Sequence, residues 1–311
     1  MSAAPRIRPP AVPAGGVLGV CAPSGPVNPE RLASGLAALT RLGFDVRLAP
    51  GILERRGYLA GDDHTRARDL LGFLEDPAVH AILCARGGYG AMRLLPELGD
   101  AAWAKRAKPL VGFSDITALH QLLARDGVVS FHGMLVESPD GGPPEANLRS
   151  LVAALTTAAP LGQLAWPKEG PEPVCLHPGR AEGPLVGGNV SLLVATLGTP
   201  WALSAARCLL LLEDVGERPY NLDRYLTQLL IGGHLDEVAG FIVGELVDCG
   251  GPAGEPTALE VVAERLAPLG KPCLANLPLG HGPHKLTVPL GVRAALDADA
   301  GGLTFLEPAL S

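Results

Sequence analysis

Basic charge is in short supply. Lys and Arg number 25 against 32 Asp and Glu, a formal net charge of −7, and the sequence pI is about 5.6. A global basic footprint for nucleic acid is thereby excluded, although a local anion site is not. No apolar run approaches the roughly 18 residues of a membrane span. The six cysteines (Cys21, Cys84, Cys175, Cys208, Cys249 and Cys273) form no CxxC pair and no zinc spacing. Four of them, Cys21, Cys84, Cys208 and Cys249, lie in or beside apolar strand-like runs and read as buried, reduced thiols. Low-complexity tracts are missing too. The 40 Gly and 30 Pro fall singly or in pairs between apolar runs, as turn punctuation. Arg6 and Arg8 precede a short apolar stretch, Val17–Cys21, but Pro9, Pro10 and Pro13 interrupt its approach, so no signal-peptide core is expected. Residues 1–15 read as a disordered lead-in, and the protein is expected to be cytoplasmic, with neither nucleic acid nor membrane as partner.

What is present is enough apolar material for sizeable cores. Of 311 residues 47% are hydrophobic and 18% charged, a length that favours two domains. A short apolar strand at Val17–Ala22, a helical pattern at Glu30–Leu42 closed by Gly43, and a strand at Phe44–Leu48 make a β-α-β start and predict a parallel sheet of the α/β class. Strand and helix patterns alternate on to a helix at Pro143–Thr156. The first domain is placed at 16–157, a Pro- and Gly-rich linker at 158–180, and a second domain at 181–311, which ends in a hairpin of Val292–Leu296 and Leu303–Leu306.

The chemistry gathers at strand ends. Leu110-Val111-Gly112-Phe113-Ser114-Asp115 reads as strand, sharp turn and helix, with Ser114 at the corner. Open parallel sheets carry their chemistry at that edge, and a helix N-terminus favours a developing oxyanion. Ser114 is a candidate nucleophile; a plain N-cap is the competing reading. Ala85-Arg86-Gly87-Gly88-Tyr89-Gly90 follows another buried strand, but it is neither GxGxxG nor GxxxxGK[ST]. It can cradle a phosphate, offer an N–H to an oxyanion, or merely turn. Leu209–Leu212 runs into Glu213-Asp214, where a carboxylate can orient a histidine or simply be solvated. A serine needs such a base, and histidine suits because its ordinary pKa lies near neutrality. His281, in a glycine-flanked loop, has the most suggestive setting, and His132 is its rival. His120, on the helix after Ser114, is expected to turn away from the corner. His281 and His284 form an HxxH pair without a HExxH context, which argues against a metal site. The α/β-hydrolase G-x-S-x-G elbow is not met, because Ile116 stands two residues after Ser114.

Taken together, A-R-G-G-Y-G at 85–90, G-F-S-D-I-T-A-L-H at 112–120, L-L-E-D-V-G-E at 211–217 and G-H-G-P-H-K-L-T-V-P-L-G at 280–291 resemble the LD-carboxypeptidase family of serine peptidases. G-P-L-V-G-G-N at 183–189 and G-Y-L-A-G-D at 57–62 fit as well, and the resemblance runs from about residue 16 to near the C-terminus. It implies a flavodoxin-like N-terminal half, a C-terminal β/α half, and an active site in the cleft between them. It implies a Ser114, Glu213, His281 triad, with Glu217 a poorer orienter. It also implies an oxyanion hole from the N–H of Gly87 or Gly88 and that of Asp115. Tyr89 and Asn189, in two of these segments, are candidate substrate contacts, and His284 departs from the expected loop. No cofactor or metal is implied, and a homodimer is. Because the two halves supply different triad members, domain closure is one way to assemble them.

The activity that follows is hydrolysis of the L–D bond of a murein tetrapeptide, releasing terminal D-Ala in peptidoglycan recycling. The alternative within the family is a microcin C-type immunity peptidase, which cleaves peptidyl- or aminoacyl-nucleotides. Such members carry nucleobase-stacking aromatics; here only 4% of residues are aromatic, with Trp103 and Trp201 the conspicuous candidates. A non-catalytic ligand-binding α/β protein is the third reading.

Overall fold

Short aliphatic runs, buried on both faces, make the central strands of the first half. A computed structural model describes residues 6–99, 101 and 103–311. Strands β1 (Val17–Cys21), β2 (Asp45–Leu48), β3 (Ala81–Cys84), β4 (Leu110–Gly112) and β5 (Ser130–His132) are parallel, in the spatial order β5-β4-β3-β1-β2. The polar, largely exposed β2 is the edge. Helices make the crossovers. Pro29–Arg41 starts on an Asn28 cap with proline in its first turn, and Asp63–Glu75 starts on Asp62.

The second sheet begins inside the expected linker. Strands β6 (Gly162–Gln163) and β7 (Val174–His177) precede the parallel set β8 (Arg180–Asn189), β9 (Leu209–Val215), β10 (Gly240–Val247) and β11 (Cys273–Leu277). After β12 (Val288–Leu290), the hairpin β13 (Arg293–Asp297) and β14 (Gly302–Phe305) forms as expected, and the order is β6-β14-β13-β8-β9-β10-β11-β7. Residues 158–180 are therefore not a free linker: β6 and β7 seal the two edges of this sheet, a place that tolerates Pro-rich and short segments.

The strand β12 goes elsewhere. It pairs antiparallel with β5 and becomes the far edge of the first sheet, so the chain of the second half completes the first. Pro289 fits there because an edge strand needs no N–H on its outer side. One apolar cluster runs from Leu18, Val20 and Leu83 in the first sheet to Leu209, Leu211 and Ile242 in the second.

The N-terminal segment also differs from expectation. Over residues 6–15 it is fastened rather than loose. Ile7 N–H donates to the Gly127 carbonyl at 2.8 Å, Val12 N–H to that of Leu155 at 2.8 Å, and Ser311 N–H to that of Pro9 at 3.0 Å. Its prolines pre-extend the backbone along the surface, and Val12 is buried. The remainder of the expected lead-in, residues 1–5, lies outside the described residues. Among the described residues no helix is long and apolar enough to cross a membrane.

Candidate active site

Strand β4 stops at Gly112, and Phe113 continues extended with φ −153° and ψ −171°. Ser114 then takes φ +63°, a left-handed conformation that a side chain other than glycine's adopts at a cost. The chain reverses within that residue, passes through a 3₁₀ turn, Ser114–Ile116, and enters the helix Thr117–Arg125. Ser114 thus stands at the carboxyl edge of the first sheet.

The glycine turn after β3 is pressed against it. A Cβ on Gly87 would fall 3.0 Å from Ser114 Cβ and 3.1 Å from its Oγ, so the approach depends on glycine. The Gly87 carbonyl accepts from Gly25 N–H at 3.0 Å. Because the peptide is planar and trans, the Gly88 N–H lies on the opposite side of that unit. Gly88 itself has φ +100°.

The side chain of Asp115 points inward. Its Oδ2 accepts from Ala91 N–H at 2.8 Å and so ties the serine corner to the glycine turn. Burial pushes this carboxyl up, against the hydrogen bond from the Ala91 N–H and the nearby Arg66 guanidinium. Arg66, also buried, supports the turn from the other side by donating to the Gly90 carbonyl at 2.9 Å and to that of Pro23.

Glu213, fully buried in β9, places Oε2 2.7 Å from Nδ1 of His281, whose side chain is 16% exposed. A carboxylate can only accept from this nitrogen if Nδ1 carries the proton, which leaves Nε2 free to act as a base. Gly280 lets the carboxylate in: a Cβ there would lie 3.2 Å from Glu213 Oε2. The His281 ring rests on Phe113, with centroids 4.6 Å apart.

The loop that carries His281 leaves the second sheet at β11 and enters the first at β12. Elements of the first half grip it along its length. His132 Nε2–H donates to the Leu279 carbonyl at 2.7 Å; Asn147 donates to the Pro283 carbonyl at 3.1 Å and accepts from Lys285 N–H at 2.8 Å. Ser150 Oγ accepts from Thr287 N–H at 3.0 Å. These bonds tie the His281 loop to the first half, and Ser114 and His281 line one cavity. The cavity, of about 740 Å³, is lined by Gly87, Gly88, Phe113, Ser114, His281 and Lys285 among others. Its volume suits a small peptide.

The other candidates lie elsewhere. Asn189 does not line this cavity. Buried, it caps the helix Val190–Ala195: its Nδ2 donates to Asp214 Oδ1 at 2.9 Å and its Oδ1 accepts from Leu192 N–H. Tyr89 is 46% exposed, edge-on to Tyr58 and outside the lining. Glu217 accepts from Asn221 and Tyr225, in the helix Pro219–Ile231. His120 turns back beneath β4. Its Nε2–H donates to the Gly112 carbonyl and its Nδ1 accepts from the Ser130 hydroxyl, both at 2.9 Å. Trp103 is buried and donates to the Leu98 carbonyl, and Trp201 packs under Arg125; neither lines the cavity. The sequence reading missed Asn147 and Lys285. Asn147 carries no sequence signal. Lys285 stands inside the quoted 280–291 segment, four residues after His281.

Comparisons with known proteins identify the family. The LD-carboxypeptidase N-terminal domain matches residues 18–133, and the LD-carboxypeptidase C-terminal domain matches residues 182–296. A Streptomyces coelicolor protein, provisionally named as a carboxypeptidase, is 44% identical over 315 residues, covering 98% of this chain and 97% of that one. The murein tetrapeptide carboxypeptidase of Pseudomonas aeruginosa is 32% identical over 301 residues, 92% of this chain and 95% of that one. Among solved structures, MccF in complex with glutamyl sulfamoyl guanosine superposes with a TM-score of 0.90 at 24% identity, over 98% of this chain and all of that one, a likeness of fold. The chain belongs to the LD-carboxypeptidase family and is a serine-type carboxypeptidase.

Proposed function

We propose that this carboxypeptidase hydrolyses the L–D bond of a murein tetrapeptide and releases its terminal D-Ala, with Ser114, His281 and Glu213 as the triad. The observation that carries the reading is the Glu213–His281 pair, 2.7 Å apart, opening onto the same cavity as a left-handed Ser114. His281 Nε2 takes the Ser114 proton as Oγ attacks the scissile carbonyl, then gives it to the leaving amine. Glu213 holds the tautomer and stabilises the imidazolium. The Asp115 N–H, with that of Gly88 or Gly87, receives the oxyanion; Gly88 is favoured because the Gly87 carbonyl is turned to Gly25. A fully deacylated enzyme results when water repeats the attack, and no metal or cofactor enters the scheme. In peptidoglycan recycling the enzyme would work in the cytoplasm, and a homodimer is the assembly the family suggests.

The likeness to MccF favours a second reading, cleavage of a peptidyl- or aminoacyl-nucleotide. Against it stands the cavity wall. Its aromatic ring, Phe113, is 4% exposed and faced by His281, so it offers no free face to a base. The third tryptophan, Trp166, lines a separate cavity of about 500 Å³ and donates to the Gly301 carbonyl.

The test is mass spectrometry of L-Ala-γ-D-Glu-meso-diaminopimelyl-D-Ala incubated with the wild type and with Ser114→Ala. Loss of one alanine residue with the wild type alone is expected. A wild type that leaves tetrapeptides with diaminopimelate, lysine or ornithine intact, yet cleaves a peptidyl-adenylate, would overturn the reading in favour of the second.

A further inference from the structure

A carboxypeptidase differs from an endopeptidase by demanding a free carboxylate one residue beyond the scissile bond. Something in the cavity must read that charge. The leaving nitrogen has to reach His281 Nε2 to be protonated, and the carboxylate carbon of the departing residue is two bonds, roughly 2.5 Å, from that nitrogen. The reader of the carboxylate therefore belongs beside His281 rather than at the glycine turn.

One cation stands there. Lys285 is half-buried in the cavity wall and donates to the carbonyl of Gly282, the residue after His281. Its Nζ lies 5.8 Å from the centroid of the Phe113 ring on which His281 rests. An ammonium has three donors, and this bond uses one. Among the described residues no carboxylate comes within 4.0 Å of it to form an ion pair. Burial pushes the ammonium down, and Glu245, set behind Gly282, pulls it only partly back. The other cations of the lining are placed differently: Arg86 donates to the Pro26 carbonyl at 2.7 Å, and Arg31 is exposed. The backbone of Lys285 is itself fixed, since its N–H donates to Asn147 Oδ1.

We infer that Lys285 is the specificity-determining residue that binds the C-terminal carboxylate of the substrate, making the site an exopeptidase site. The inference rests on the tetrapeptide reading above and assigns one of its contacts. A desolvated ammonium awaiting an anion gains a partner when the acid binds, and it is left unpaired by a substrate that ends in an amide.

The experiment compares kcat/KM for the tetrapeptide acid and for the same peptide ending in D-alaninamide, in the wild type, Lys285→Met, Lys285→Gln and Lys285→Arg. The wild type is expected to prefer the acid by about 100-fold, as for a buried charge pair. In Lys285→Met and Lys285→Gln the ratio should fall to about one, while Lys285→Arg keeps most of the preference. A ratio unaffected by Met or Gln, even with both rates lowered together, would overturn the role of Lys285 and leave the carboxypeptidase reading standing. A wild type that cleaves the amide as fast as the acid would overturn the role of Lys285 without recourse to a variant, and with it the demand for a free carboxylate. A wild type that cleaves neither peptide would overturn both.

Discussion

Ser114 holds a conformation that its own side chain disfavours, and the strain is local to the proposed nucleophile. Relieving it should separate stability from activity. Ser114→Gly removes the hydroxyl and the Cβ that resists φ +63°, so the variant should be inactive yet more stable by about 1 kcal/mol in urea unfolding. Ser114→Ala should lose activity by roughly 10³-fold or more without that gain, because alanine keeps the Cβ. A glycine variant no more stable than the alanine one would show that the backbone carries no strain here. At this scale much was legible in the sequence. A serine after Gly-Phe, a glutamate closing a run of leucines and a histidine between glycines are each at strand ends, where a parallel sheet exposes its chemistry. What was illegible is direction. The reading used only the N–H of Asp115, whereas its carboxylate turns inward to Ala91, and that depends on the handedness of the turn rather than on residue type. Asn189, expected to touch substrate, caps a helix instead, and that role removes it from the substrate: its side chain is already committed to Asp214 and Leu192.

Among the elements, the glycine turn is the most finely set. Gly87 has no room for a methyl group on the side facing Ser114. Gly87→Ala should therefore lower kcat by about 10²-fold, the scale of a lost or displaced oxyanion donor, with the tetrapeptide KM little changed. Steady-state kinetics decides it, and a Gly87→Ala enzyme with full kcat would place the donors elsewhere. Three short strands were the elements that sequence could not show. Gly162–Gln163 and Val174–His177 lie in a stretch rich in proline and glycine and have no period to read, so 158–180 looked like a tether. Val288–Leu290 gave no sign that it would leave its own half. Long periodic segments fared better. The helices placed at 30–42 and 143–156 form at Pro29–Arg41 and Glu145–Thr156.

For the molecule as a whole, buried titratable groups set how stability answers to acid. Burial pushes His120 down to about 3, so between that value and 6.5 the unfolded chain binds a proton that the folded one refuses. The contribution is fully present above pH 6.5 and is lost as the pH falls, on the order of 5 kcal/mol in all. His132, lowered by burial as well, acts in the same sense. Asp214 acts in the other: burial raises it to about 6, so its contribution is present below its ordinary 3.8 and is lost as pH rises through 6. His120 is displaced further from its ordinary value than Asp214, so between these groups acidification should destabilise the protein. In His120→Phe the slope of unfolding free energy against pH, measured by urea titration between about pH 4 and pH 6, should fall by about one proton. Equal slopes in wild type and variant would show that His120 is not buried neutral.

The sequence family divides this chain into two parts, yet the strand β12 is encoded in one and structurally belongs to the other. The first half on its own would end its sheet at β5 with an open row of backbone donors and acceptors, and the second half on its own would trail an apolar strand with nothing to pair it. The border drawn by descent is thus not the border along which the polypeptide would come apart. A mutation that loosens β12 reaches both the edge of one half and the loop that carries His281, the proposed general base, so the two parts are bound to change together or not at all.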